Sequence, residues 1–234
     1  MADDDLGTAG EGLAAQFDAA PADVAALYDD WVVTRYDADL AAWGYDAHVR
    51  AADMMSTLLS SSLSTSISTS LSSSGSEPAS KSPVLDAGCG SGLVGAELRL
   101  RGIEPVIGGD FSPASVETAR SRGVYHDVVE LDLNRPLPFA DGEFRAVVSV
   151  GVFSYLTDSE ATIRELLRIV QVGGPVVFTQ RTDLWEERDF AQLLGDLADA
   201  GVCDVTVSSP EPYLPLHPEF GGDIGVHYAT LIRC

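Results

Sequence analysis

The sequence predicts an α/β protein built on a mostly parallel sheet, and three observations carry that expectation. Apolar, strand-like runs alternate with helix-like segments from residue 83 onward, the pattern that forces strands to lie side by side with helices on their faces. A glycine-rich turn, Gly88-Cys89-Gly90-Ser91-Gly92, joins the first of these runs to the first core helix. Phe144 to Gly151 reads as one apolar run rather than an alternating one, which marks a strand covered on both faces at the centre of the sheet.

Taken in order, residues 1 to about 20 are acidic and alanine-rich and are expected to be loosely ordered. From Pro21, helical spacing places Val24, Leu27, Tyr28 and Trp31 on one face and Tyr36, Leu40 and Trp43 on a second. These two short helices form a lid. Its aromatic side either packs on the core or, with Tyr28, Trp31 and Tyr36, walls a pocket. A third helix, Ala47 to Leu59, runs into the serine-rich stretch 60–82, which reads as a linker or a frayed extension of that helix. The expected division is therefore a tail and lid over 1–59, a connection over 60–82 and a core over 83–234.

Within the core, Pro83-Val84-Leu85 opens the first strand and Gly95 to Arg101 forms the first helix. Glu104 to Gly109 is a second strand ending at Asp110, and Ser112-Pro113 caps the helix that follows. Tyr125 to Leu131 makes a third strand, Phe144 to Gly151 a fourth and Pro175 to Gln180 a fifth. Asp158 or Thr157 caps a helix through Ile169, and another helix spans Glu186 to Ala200. Asp204 to Val207 and Gly225 to Ile232 close the chain as an antiparallel edge hairpin. Their link, 208–223, is rich in proline and aromatic residues and long enough to contact a substrate.

Composition narrows the function. At 234 residues and 45% hydrophobic content the chain can bury a sizeable core. Its net charge of -22, from 36 acidic against 14 basic residues, repels phosphate backbones, so the expected partner is a small molecule and not nucleic acid. Aspartate exceeds glutamate and Lys81 is the sole lysine, a bias that salt-adapted proteins share. Cys89, Cys203 and Cys234 are odd in number and widely spaced, without a disulfide framework or zinc spacing. With no basic leader and no apolar run of membrane-spanning length, the expected location is the cytoplasm.

The glycine turn carries the chemistry. Gly90-Ser91-Gly92-Leu93-Val94-Gly95 followed twenty residues on by Asp110 fits a dinucleotide fingerprint. Asp86 points elsewhere, because a carboxylate two residues before the first glycine opposes a pyrophosphate and favours a ligand bearing ammonium and sulfonium groups. Asp110, at the end of its strand, suits two ribose hydroxyls. Asp132 could accept from an adenine amino group with Leu133 beside the ring, and Val150-Gly151 should lie opposite the turn, where glycine leaves room for a ligand. His126, His217, His227, Tyr155 and Tyr228 are the candidate bases. Cys89 reads as a small packing residue.

Leu85-Asp86-x-Gly88-Cys89-Gly90-Ser91-Gly92 resembles motif I of the class I S-adenosylmethionine-dependent methyltransferases. Gly108-Gly109-Asp110-Phe111 resembles the second-strand motif of that family, Leu131-Asp132-Leu133 its adenine-side motif, and Arg168 to Gly174 its turn before the fifth strand. Arg145 and Gln171-Val172 depart from the family pattern. The resemblance implies a Rossmann-like, seven-stranded, mostly parallel sheet with an antiparallel edge hairpin and an N-terminal helical lid. It further implies S-adenosyl-L-methionine as cofactor, held by Asp86, Gly88, Cys89, Gly90, Asp110, Phe111, Asp132, Leu133 and Val150, with Tyr28 and Tyr36 from the lid and no metal. Leu27-Tyr28-Asp29-Asp30-Trp31 and Arg35 to Leu40 are similar to the methyltransferase-like proteins named for the Williams–Beuren syndrome chromosome region. A nicotinamide-dependent oxidoreductase and a cofactor-binding protein without turnover are the alternatives.

Overall fold

A computed structural model describes residues 35–69, 82–218 and 223–234. Tyr28, Trp31 and the expected first lid helix lie outside the described residues, as does Phe220 of the 208–223 link. The elements are α1 (Tyr36–Ala42), α2 (Ala47–Thr69), β1 (Val84–Ala87), α3 (Leu93–Leu100), β2 (Val106–Asp110), α4 (Pro113–Arg122), β3 (Asp127–Glu130) and β4 (Ala146–Ser149). A short 3-10 turn at Phe153–Tyr155 follows, then α5 (Ser159–Ile169), β5 (Pro175–Arg181), α6 (Thr182–Glu187), α7 (Phe190–Asp199), β6 (Cys203–Val207), β7 (Glu211–Pro212) and β8 (Gly225–Arg233).

The sheet runs β3-β2-β1-β4-β5-β8-β6, with β7 added against β8. The first five strands are parallel, and β8 is antiparallel to both β5 and β6. The expected hairpin therefore exists with its last strand inside the sheet and β6 at the edge. The order reverses between β1 and β4, the switch point where doubly wound sheets bind ligands.

Every residue of β1, β4 and β5 is buried, which is why these strands read as apolar without alternation. Leu85, Val147 and Phe178 point to one face, under Ile163 and Leu166 of α5 and Leu194 and Leu197 of α7. Val84, Val148 and Val177 point to the other, under Ala51, Ala52 and Met55 of α2 and Val94 and Leu98 of α3. Each large side chain so buried contributes about 1.5–3 kcal/mol. The result is a sheet between two helical layers.

Caps set the helix ends. The Ser112 hydroxyl accepts from the Ser115 amide at 3.0 Å with Pro113 in the first turn of α4, and Asp158 accepts from the Ala161 amide at 2.9 Å to start α5. The helix expected over 186–200 is interrupted instead. Asp189 adopts a left-handed backbone, φ 48°, between α6 and α7, while the Arg188 guanidinium donates to the carbonyls of Phe153, Ser154 and Leu156. Trp185 can then stack on Phe190 at 5.3 Å. Tertiary anchoring overrides the helical period there.

The structure also carries α2 ten residues past Leu59, to Thr69. Thr57 and Ser60 donate their hydroxyls to the carbonyls four residues back, of Asp53 and Ser56, and Ser61 to that of Leu58 three back. Back-bonding of this kind lets hydroxyl residues remain helical where their propensity is poor.

Candidate functional site

The site is assembled where β1, β2 and β4 end. The amides of Gly88 and Cys89 donate to the Gly109 carbonyl at 2.7 and 3.0 Å, which ties the glycine turn to β2. Gly88 has φ 80°, and a Cβ there would lie 2.2 Å from Val152, so β4's continuation stands directly opposite the turn. Gly90 has φ 51° and open space where a Cβ would be. A larger residue at 88 would collide; one at 90 would stand in the open side of the turn.

Two carboxylates face this turn. Asp110 is 7% exposed, accepting from the Gly90 amide at 2.8 Å through Oδ2 and from the Ser112 amide at 3.0 Å through Oδ1. Asp86 is fully buried, and its Oδ2 accepts from the Tyr125 hydroxyl at 2.6 Å. Its Oδ1 has no hydrogen-bond partner among the described residues. Burial pushes the Asp86 carboxyl up to about 7 against the pull of the Tyr125 hydroxyl, and the Asp110 charge adds to the rise. The Gly95 backbone amide makes a smaller contribution that favours the charged form.

An orphaned buried oxygen and an open glycine at one turn fit a ligand that brings a positive charge and approaches the backbone closely. Bringing a diphosphate to the same place would set its charge against two carboxylates. Phe111, which follows Asp110, is 46% exposed, so part of its ring is accessible beyond the end of β2.

The other expected residues divide. Cys89 is buried against Val116, Ala119 and Val128, away from the open side of the turn, and burial beside Asp86 and Asp110 drives its thiol far upward, so it packs and does not react. Asp132 is turned on its own loop, accepting from the Asn134 amide at 2.9 Å and pairing with Arg135 at 3.1 Å. Leu133 is buried in the main core with Leu131 and Leu137. Val150 packs partly on the α2 face, and Gly151, φ 75°, donates its amide to the Thr179 hydroxyl at 2.8 Å. Tyr36 packs with Leu40, Leu93 and Leu214.

Three features had no signal in the sequence. Tyr45 reaches over the end of β4, its hydroxyl 3.4 Å from where a Cβ on Gly151 would be, with its ring edge-on to Tyr213. Asp37 of α1 accepts from the Ser91 hydroxyl at 2.6 Å and pairs with the Arg122 guanidinium, which also donates to the Ser91 carbonyl at 2.7 Å. Tyr125 covers the buried side of the turn. Each depends on segments remote in sequence meeting in space, which no local pattern encodes. Arg145 and Gln171 lie at the opposite end of the sheet, bonded to the Glu104 carbonyl and the Ser82 hydroxyl.

Comparison with known proteins adds an independent line. Residues 85–178 match the family described as methyltransferase domain. The chain is 31% identical over 190 residues to human methyltransferase-like protein 27, covering 79% of this chain and 69% of that protein. It is 33% identical over 169 residues to the demethylmenaquinone methyltransferase of Beutenbergia cavernae, covering 71% and 61%. Its fold is similar to a TehB-like S-adenosylmethionine-dependent methyltransferase from Corynebacterium glutamicum, with TM-score 0.57, 21% identity and coverage of 89% and 99%.

Proposed function

We infer, for a chain that belongs to the class I S-adenosylmethionine-dependent methyltransferases, that the glycine turn and the strand ends beside it hold the methyl donor and that the acceptor is a small molecule. The observation that carries the first part is the buried, partnerless Oδ1 of Asp86 at a turn whose Gly90 is open. Asp86 answers the donor's ammonium, Gly88 and Gly90 admit its methionine end, and Asp110 accepts from the ribose hydroxyls. Phe111 covers the adenine face. Asp132 and Leu133 contribute through backbone placement, since the carboxylate is committed to its loop and the leucine side chain to the core. The division into a tail and helical lid over 1–59, a serine-rich linker or frayed helix over 60–82 and a core over 83–234 suits this arrangement, with α2 running into the second segment as far as Thr69.

The bound cofactor supplies an electrophilic methyl on a sulfonium, and its transfer needs neither metal nor oxyanion. What the chain must supply is an in-line approach and exclusion of water. Gly151, with Tyr45 and Tyr213 above it, lies where β4 ends opposite the turn and forms the acceptor side. The candidate histidines are committed elsewhere, and Tyr228, which packs with Tyr45, Tyr213 and Val150, is held protonated by burial. His126 opens β3 at the far end of the sheet, its amide on the Val106 carbonyl, and Nδ1 of His227 is tied to the Ser208 carbonyl at 3.0 Å. His217 is buried against Trp43, and Tyr155 sits in the 3-10 turn. An acceptor that arrives with its lone pair available suits these residues.

The charge of -22 supports a small acceptor over RNA. Release of S-adenosylhomocysteine, followed in a coupled assay with metabolite pools and with total RNA, tests this. Turnover with a metabolite fraction and none with RNA is expected; RNA-dependent turnover at the same rate would contradict it. Among the described residues no helix is long and apolar enough to cross a membrane.

A further inference from the structure

One aromatic ring closes the buried side of the glycine turn. Tyr125 enters from the connection between α4 and β3, and its atoms lie 3.1, 2.2 and 3.2 Å from where Cβ atoms would stand on Gly92, Gly95 and Gly108. Those three glycines are therefore the mould for the ring. Its hydroxyl donates to Oδ2 of Asp86 at 2.6 Å, while Oδ1 of the same carboxylate accepts nothing among the described residues. The two oxygens are unequal: one is held by a short bond to a hydroxyl, the other is left to be answered.

We propose that Tyr125 is a positioning residue for cofactor capture: by holding Oδ2 it fixes the plane of the Asp86 carboxylate and reserves Oδ1 for the ammonium of S-adenosylmethionine, so that capture requires Asp86 to be ionised. The inference rests on the assignment of Asp86 to that ammonium. No covalent step is involved. Where the carboxyl is neutral beforehand, one proton passes from Asp86 to solvent for each cofactor bound.

The groups facing Asp86 are the Tyr125 hydroxyl, the Asp110 carboxylate at the end of β2 and the Cys89 thiol in the turn, with the Gly95 amide beside them. Cys89 stays neutral, because burial and the two carboxylates drive its thiol far upward. Burial and Asp110 favour the neutral form of Asp86, and the Tyr125 bond favours the charged one. Removing the phenol hydroxyl must therefore move the titration of Asp86 upward, toward the range in which an α-ammonium loses its own proton. The range of pH in which both partners are charged then narrows.

The test is calorimetric titration of the full chain with S-adenosylmethionine across the neutral range, in two buffers of different ionisation enthalpy. Wild-type affinity is expected to climb up to about tenfold per pH unit below neutrality, with proton release over the same range. Tyr125→Phe keeps the ring and loses only the donor; it should bind about 5- to 30-fold more weakly at neutral pH, with its proton-release profile displaced upward. Replacement of Tyr125 by a fluorinated tyrosine, a stronger donor of nearly the same shape, should displace the profile downward. Infrared titration of the cofactor-free protein, with Asp86→Asn identifying the band, reads the same displacement without ligand. Wild-type profiles from both Tyr125 variants, alongside weak and pH-independent binding by Asp86→Asn, would overturn the role of Tyr125 and leave the Asp86 assignment standing. Unchanged binding by Asp86→Asn would remove that assignment and the inference with it.

Discussion

A carboxylate sealed into an apolar layer destabilises the fold that holds it, and Asp86 is such a group, fully buried with one oxygen unanswered. Its carboxyl is raised to about 7, so the native state keeps a proton that the unfolded chain has already lost above ~4. Stability from this residue is therefore greatest in acid, falls as pH rises from ~4 through about 7, and stays low above that. Asp86→Asn removes the penalty while keeping an acceptor for Tyr125. Urea unfolding at pH 8 should show a gain on the order of 2–4 kcal/mol without cofactor, shrinking toward zero as the pH is lowered to ~4; a loss at pH 8 would contradict the cause assigned here. Stability given up at one buried position is typical of a binding residue. Asp86, Gly88, Gly90 and Asp110 were legible because spacing along one strand–turn–helix fixes them locally. Cys89 met its expectation as packing, whereas Tyr125, thirty-nine residues from Asp86, could be found only after the chain had folded.

At the scale of elements, α1 precedes the core in sequence yet is fastened to the glycine turn through Asp37, Ser91 and Arg122. Arg122 ends α4, so one guanidinium links three segments: the first described helix, the turn and the second core helix. Arg122→Ala should cost ~1 kcal/mol, the scale of a partly exposed charged hydrogen-bond pair. Hydrogen exchange should show protection in α1 falling about fivefold while that of β4 is unchanged; uniform change across both would mean the contact acts globally. Helix caps at Ser112 and Asp158 were readable from local chemistry. The break between α6 and α7 was not, since Arg188 answers carbonyls 32 to 35 residues back, and the helix through 60–69 was only half visible because serine's poor propensity is offset by its bonds to the preceding turn.

For the whole molecule, the alternation of strands and helices, with the unbroken apolar runs of β1, β4 and β5, made the parallel sheet and its switch point readable from the sequence. The place of β8 between β5 and β6 was less so, because adjacency among antiparallel strands depends on the path of the link between them. The net charge of -22 acts on the entire fold. Self-repulsion of that size is screened by salt, so thermal unfolding should rise by about 5 °C or more between ~0.05 and ~1 M sodium chloride; a flat profile would show that the acidic surface is already neutralised by its own ion pairs. The proposed function requires carboxylates at neighbouring strand ends to receive a positively charged methyl donor. Calorimetric titration of the wild type and Asp110→Ala, each with S-adenosylmethionine and with NAD, tests it most directly. The wild type should bind the sulfonium compound and not NAD, and Asp110→Ala should weaken this binding by about 1–3 kcal/mol; binding of NAD by the wild type, or undiminished affinity in the variant, would overturn the assignment of the site.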